Sequence, residues 1–407
     1  MFKSLRQLHW SIYTLALASG VIMTGFMMLL PLLPEYALRQ GFSEYDIGLL
    51  VAAFFIGRVL FQFPLGILSD HIGRKAIISA SLLLFTVTTM AYALTADRWV
   101  MMFLRLLQGV AASGFAVGSQ SFINDQTPTE FRGLANGVMS SAINMGVIVG
   151  PLLGGTLSQA YNLQTPFWVG GTLGGLCFLL NLAVPKSVYG KKTGPMEPTN
   201  LLDRGKSILA SVFCLPSFSL SVIHFMIMMS IAIFLTSAPI LTAEILGWSS
   251  REIAIAFAAG GATAAFSSPF LGRLADMAGR IRILALGIAS LLLEGLVVFF
   301  GPGTIWMIAA FALGGAGTPA YFNAFYSLLG DATSPQERGA VTGFVGSFGE
   351  WGSILGSSLI VPLTWSSINV RAPMAADVAV LLLTLVFAFI MKGALQKHVG
   401  KSRRINS

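Results

Sequence analysis

Five ionisable residues lie inside long apolar runs of this chain: Arg58, Arg105, His224, Glu294 and Glu350. A charge in hydrocarbon is costly, so each is read first as a functional group. A buried carboxyl can take up and release a proton, and an imidazole titrates near neutral pH. A buried guanidinium can orient such a proton site or attract a substrate. His224 stands among Ile, Phe and Met, where hydrogen-bonded packing is an equally good reading. Asp46, Asp97, Glu244 and Asp377 fall near the ends of their runs and are expected to be solvated. The sequence carries no nucleotide-binding loop, metal cluster or nucleophile–base arrangement, which argues against ATP-driven transport and against an enzyme. Cys177 and Cys214 sit in apolar runs and suggest neither a disulfide framework nor a metal site.

The elements that position these groups follow from composition. Of 407 residues, 55% are hydrophobic and only 10% charged, against about 25% in a soluble protein. That excludes a soluble enzyme, a nucleic-acid module, a disordered chain and a secreted disulfide scaffold. The net charge of +8 reads as basic cytoplasmic loops. Twelve apolar runs are long enough to span a bilayer as helices: 9–33, 46–69, 76–95, 99–123, 134–159, 166–185, 208–235, 251–272, 283–300, 305–329, 339–364 and 373–392. They are continuous rather than alternating, which is the pattern of helices and not of barrel strands. Ala16-Leu17-Ala18 mimics a cleavage site, but the run continues to Leu33 and is read as a retained first span.

Nineteen of the 25 Lys and Arg fall on the side of the membrane that holds both termini, and four on the other. Both termini are therefore expected in the cytoplasm, with the chain in a bacterial inner membrane. The polar segment 186–206 is expected to be a cytoplasmic linker between an N-terminal six-helix bundle, 1–185, and a C-terminal one, 207–407, which ends in a short basic tail.

The two halves repeat at an offset of 206 residues. Gly66-Ile67-Leu68-Ser69-Asp70-His71-Ile72-Gly73-Arg74 matches Gly272-Arg273-Leu274-Ala275-Asp276-Met277-Ala278-Gly279-Arg280. Asp125, Arg132, Gly133 and Gly137 match Asp331, Arg338, Gly339 and Gly343, and Gly146 and Gly150 match Gly352 and Gly356. This predicts a duplicated six-helix unit, its copies related by an axis along the membrane normal.

The stretch from Gly66 to Arg74, with Lys75 behind it, resembles the loop between helices 2 and 3 of the major facilitator superfamily. Three more patterns resemble that family's twelve-helix drug:proton antiporter branch. They are Gly25 with Pro31-Leu32-Leu33-Pro34 in the first span, Arg105-Leu106-Leu107-Gln108-Gly109-Val110-Ala111-Ala112 in the fourth, and Gly146-Val147-Ile148-Val149-Gly150-Pro151-Leu152-Leu153-Gly154-Gly155 in the fifth. Pro151 removes a backbone donor and kinks its helix, and the glycines permit close packing. Packing alone accounts for much of that last pattern. One departure stands out: residues 9–33 hold no Asp or Glu, where many relatives carry an acid. The proton site lies elsewhere, or the coupling ion differs.

The resemblance implies an all-α membrane protein of twelve helices in two pseudo-symmetric bundles. It implies a conformational latch at Gly66, Asp70, Gly73, Arg74 and Lys75. It places helices 2 and 11 beside each other, with Arg58 and Glu350 each eleven residues from the cytoplasmic end, roughly 16 Å deep. These two are expected to pair across the bundles and to couple proton uptake to bundle separation, with His224 and Glu294 as further proton-coupling candidates. Arg105, Gln108, Gln120, Asn144, Phe225, Tyr321, Asn323, Phe325 and Tyr326 are expected to line the substrate cavity. Aromatic walls with few polar anchors suit amphipathic compounds. The function implied is proton-coupled efflux of such compounds by a monomer in the lipid bilayer. It needs no cofactor beyond the proton gradient, no metal and no nucleic acid. Transport of an anionic metabolite or siderophore is the alternative, motivated by Arg58 and Arg105; a non-transporting sensor or scaffold is another.

Overall fold

The structure is a computed structural model that describes residues 10–126, 132–183, 214–301, 303–332 and 338–393. The expected linker, 186–206, lies outside the described residues, as do the side chains of Asp70, Asp125 and Asp276. Regular structure among the described residues is all helical. In hydrocarbon a helix is the element that satisfies its own backbone, which is what uninterrupted apolar sequence demands.

Twelve long helices correspond one to one with the twelve runs. The first six are α1 (Trp10–Leu29), α2 (Glu44–Ile72), α3 (Arg74–Tyr92), α4 (Arg98–Gln126), α5 (Arg132–Ala160) and α6 (Thr165–Ala183). They are followed by α7 (Leu215–Leu246), α8 (Ser250–Ala278), α9 (Arg280–Phe300), α10 (Thr304–Ala332), α11 (Arg338–Leu355) and α12 (Ala372–Ile390). Counting described residues alone, nine of them are long and apolar enough to cross a membrane by length and composition.

The internal repeat reaches the helix ends. Shifting α2 by 206 residues gives the bounds of α8, and the same shift carries the starts of α3 and α4 onto those of α9 and α10. The caps repeat too. At α2, the Ser43 backbone N–H donates to Asp46 Oδ2 at 3.0 Å and the Asp46 N–H donates back to Ser43 Oγ at 3.3 Å, a capping box. At α8, the Ser249 N–H donates to Glu252 Oε2 at 2.6 Å. Gly73 and Gly279 end one helix and begin the next with φ of 99° in both copies, a backbone state that a Cβ disfavours.

Several ends differ from the expected spans, among them that of α8, which runs to Ala278. The first helix stops at Leu29 and restarts as a short helix, Leu33–Arg39. Pro31 and Pro34 lie at that break, and proline cannot donate to a continuing helix. The seventh runs on to Leu246 with Pro239 inside it. The eleventh is regular only to Leu355, opens into a π turn at Gly356–Ile360 and resumes as Val361–Ser367.

The chain divides into two compact units, Met1–Gly194 with Gly247–Gly261, and Pro195–Leu246 with Ala262–Ser407. The start of α8 thus belongs with the first unit. In the first, α1 packs on α5 and α6, α3 on α4 and α6, and α2 on α4. In the second, α7 packs on α11 and α12, and α9 on α10 and α12, as the repeat requires. Ile12, Ile78, Leu82, Phe122 and Ile123 anchor the first core. Leu220, Ile223, Ile288, Tyr321 and Phe325 anchor the second.

Candidate transport site

In the first unit the chemistry gathers around Arg105 on α4, which is 2% exposed. Its Nη1 donates to Gln108 Oε1 at 2.8 Å, one turn further along. Gln108 Nε2 donates in turn to Thr89 Oγ1 on α3 at 3.2 Å. The guanidinium lies over the rings of Phe54 at 5.0 Å and Phe26 at 5.4 Å. Its Nε has no hydrogen-bond partner, and no carboxylate pairs with it among the described residues. A buried cation held by an amide and two aromatic faces keeps its charge uncompensated, which favours a visiting anion or dipole. Of the other residues expected in the cavity from this half, Gln120 is exposed and Asn144 half-buried. Arg58, on α2, is half-buried.

In the second unit His224 on α7 joins an aromatic cluster on α10. Its Nδ1 lies 3.0 Å from Tyr321 Oη, and its ring stacks on Phe325 with centroids 4.4 Å apart. On α11 a Cβ at Gly349 would stand 2.7 Å from His224 Nε2, so Gly349 leaves the room that the imidazole fills. Tyr321 and Phe325 are fully buried in the unit core, whereas Tyr326 is 48% exposed. Asn323 Nδ2 donates to the Ser268 carbonyl at 3.1 Å, tying α10 to α8. Phe225 packs on Phe348 of α11, centroids 5.1 Å apart. Glu350 is buried on α11 and Glu294 on α9.

The loop motif makes contacts within each unit. Arg74 Nη1 donates to Ser69 Oγ at 3.1 Å, and Lys75 Nζ reaches the Leu182 carbonyl at 2.9 Å, joining α3 to the end of α6. In the second copy Arg280 pairs with Asp331 and donates to the Ser327 carbonyl at 3.2 Å, joining α9 to the end of α10. Among the described residues, a Cβ at Gly66 would meet only Val117 Cγ1, at 3.7 Å, so their packing does not demand that glycine.

Close approach does demand the fifth-helix glycines. A Cβ at Gly146 would stand 2.6 Å from the Gly20 carbonyl oxygen, and one at Gly150 2.6 Å from that of Thr24. One at Gly154 would run into the Met28 carbonyl oxygen. The three glycines form the seam between α1 and α5. Gly155 points elsewhere, onto Ala254 and Ser250 at the start of α8. Gly352 and Gly356 form the matching seam against the Phe225 and Met229 carbonyls of α7. Pro151 lies inside α5.

Of the four acids expected to be solvated, Asp97 and Glu244 are exposed. Asp46 is 8% exposed and pairs with Arg98 at 3.2 Å. Asp377 corrects the expectation, at only 1% exposure. Position near the end of a run says how deep a residue lies, and not which way its helix turns it. A cavity of about 810 Å³ opens in the first unit between Glu35, Tyr36, Arg39, Gln159, Tyr161 and Trp248. None of the residues expected to bind substrate lines it.

A profile of the Major Facilitator Superfamily matches residues 15–222 and 220–404. The quinolone resistance protein NorA of Staphylococcus aureus (strain MRSA252) is 27% identical over 96% of this chain and 97% of its own. The multidrug resistance protein MdtG of Enterobacter lignolyticus (strain SCF1) is 27% identical over 98% of this chain and 96% of its own. Among solved structures, a bacterial homologue of the human lysosomal transporter Spinster, inward-facing and unoccupied, superposes with a TM-score of 0.80. It shows 18% identity and covers 96% of this chain and 98% of its own. The nucleoside transporter NupG gives 0.75 at 14% identity, over 95% and 98%. With family motifs in the matching helices and the profile covering both halves, the chain belongs to the Major Facilitator Superfamily and is an integral membrane transporter, not an enzyme.

Proposed function

We infer that this transporter exports small amphipathic compounds in exchange for protons, by alternating access, from a bacterial cytoplasmic membrane with both termini inside. The observation that carries the reading is full-length similarity to two drug-resistance proteins from different organisms. Its chemistry needs a group that changes protonation during the cycle. Glu350 fits that role: it is buried, twelve residues into α11, where an ionised carboxylate is costly. By sequence count Arg58 stands at the same depth and is its partner in the cycle.

The test is flux in proteoliposomes with an imposed pH gradient, using ethidium or a quinolone as cargo. Wild type should concentrate the cargo, and an uncoupler should abolish the effect. Glu350→Gln should lose gradient-driven flux by at least tenfold and keep cargo counterflow. The Arg58→Ala, Glu350→Gln double variant should lose less than the sum of the single losses. A Glu350→Gln protein that pumps at the wild-type rate removes this residue from the mechanism.

One observation favours a second reading. The uncompensated guanidinium of Arg105 suits a cargo bearing a carboxylate or another anionic group. Under that reading a defined anion competes with ethidium for transport, and Arg105→Gln removes the competition.

A further inference from the structure

The second unit holds a pair of acids that no motif predicts. Glu294 on α9 is 7% exposed and Asp377 on α12 is 1% exposed. Each carboxyl occupies space left open by a glycine. That of Glu294 lies directly against Gly314 of α10, where any Cβ would overlap it. Asp377 Oδ2 comes within 3.1 Å of where a Cβ of Gly295 on α9 would stand. The Ser230 hydroxyl of α7 donates to the Asp377 carboxyl. Asp377 Oδ1 is buried and has no hydrogen-bond partner. The two acids are within electrostatic reach of each other. They also share a depth: Glu294 is six residues from the end of α9 and Asp377 five from the start of α12, about 8 Å in each case.

No base faces them among the described residues. On α9, Arg280 and Arg282 lie twelve or more residues away, about 18 Å along the axis. On α12, Arg371 caps the helix six residues before Asp377 and is exposed, and Lys392 lies fifteen residues after it. On α7, His224 is bound to Tyr321 and Glu244 is exposed. On α10, Tyr321, Tyr326 and Asp331 follow Gly314 by seven residues or more. Two carboxylates in an apolar interior without a cation repel each other and lose their hydration, so the stable state of the pair keeps a proton. A protonated carboxyl also supplies an O–H donor, which a carboxylate lacks.

We propose that Glu294 and Asp377 form a proton-binding pair between α9, α10 and α12, separate from the aromatic cluster around His224. The pair takes one proton onto a carboxyl oxygen from water on one side of the membrane. It gives that proton up when the helices admit water from the other. This deepens the proton-exchange reading and rests on it for the role, though not for the bound proton.

Two measurements on the full chain test it. Infrared spectra of the purified wild-type protein near neutral pH should show a protonated-carboxyl band. Glu294→Gln and Asp377→Asn should each diminish it while melting like wild type. Absence of that band in wild type overturns the proposal whether or not any variant folds, as does a band that neither variant changes. In proteoliposomes each variant should lower pH-driven ethidium flux at least tenfold and leave counterflow intact. Normal pH-driven flux in both variants overturns the coupling role. Flux that follows sodium instead of pH overturns the proton assignment. If wild type moves no cargo, the exporter reading fails while the infrared result still decides whether the pair holds a proton.

Discussion

Arg105 shows what a single residue can hold in reserve. Its charge is met by one amide oxygen and two ring faces, which is less than a buried guanidinium usually receives. Replacing such a group with an apolar one of similar length is often neutral or stabilising. Arg105→Met should therefore melt at or above the wild-type temperature in detergent and lose at least tenfold in flux. A large drop in melting temperature would mean that the residue serves the fold and not the cycle. The identities of the buried groups are legible in the sequence, because charges in apolar runs are few. Their orientations are not. A helix that is apolar all round carries little information about which face is buried. That is why Asp377 reads as solvated in the sequence and is 1% exposed in the structure.

At the scale of elements, two glycines of the quoted motifs separate clearly. Gly150 stands against the backbone of α1, so Gly150→Ala should push α1 off α5 and cost about 1–3 kcal/mol, the usual range for overpacking. Gly66→Ala meets ordinary contact and should leave stability within about 0.5 kcal/mol. Lost flux in a stable Gly66→Ala protein would give that glycine a role in the cycle. Thermal melting beside flux separates the two cases. Ser43→Ala removes the cap of α2 and should cost about 1 kcal/mol. Helix positions and most ends are legible in the sequence, since apolar length and a proline or glycine at the boundary set them. The break after Leu29, the extension of α7 and the irregular end of α11 are not, because neighbouring helices decide whether a proline stops or only bends its helix.

For the whole molecule, the repeat gives the strongest reading of the chain, and the excess of basic residues on one side predicts that both termini lie inside. Cys177 is buried and Cys214 half-buried, so both should be replaced by serine before labelling. A single cysteine at Tyr161, which is 74% exposed between α5 and α6, should react with a membrane-impermeant maleimide added outside intact cells. A cysteine placed in 186–206 should react only after the membrane is opened. The reverse pattern would invert the topology.

The π turn of α11 also marks the place where the two halves differ in length. Up to Gly356 the halves correspond at a spacing of 206 residues, yet Thr165 and Ala372, which begin α6 and α12, correspond at 207. The second copy is one residue longer between these points, and Gly356–Ile360 is where its helix is widened by one. Simple insertion into an α-helix would swing everything beyond it by about 100°. Bulging confines the change to a single turn and leaves the face of α12 unrotated. The residue opposite Pro151 in the other half is Ser357, so the π turn falls where the first copy carries a proline inside a continuous helix. Excising Ser358 should then return α11 to regular helix and yield a folded protein whose halves keep one spacing throughout.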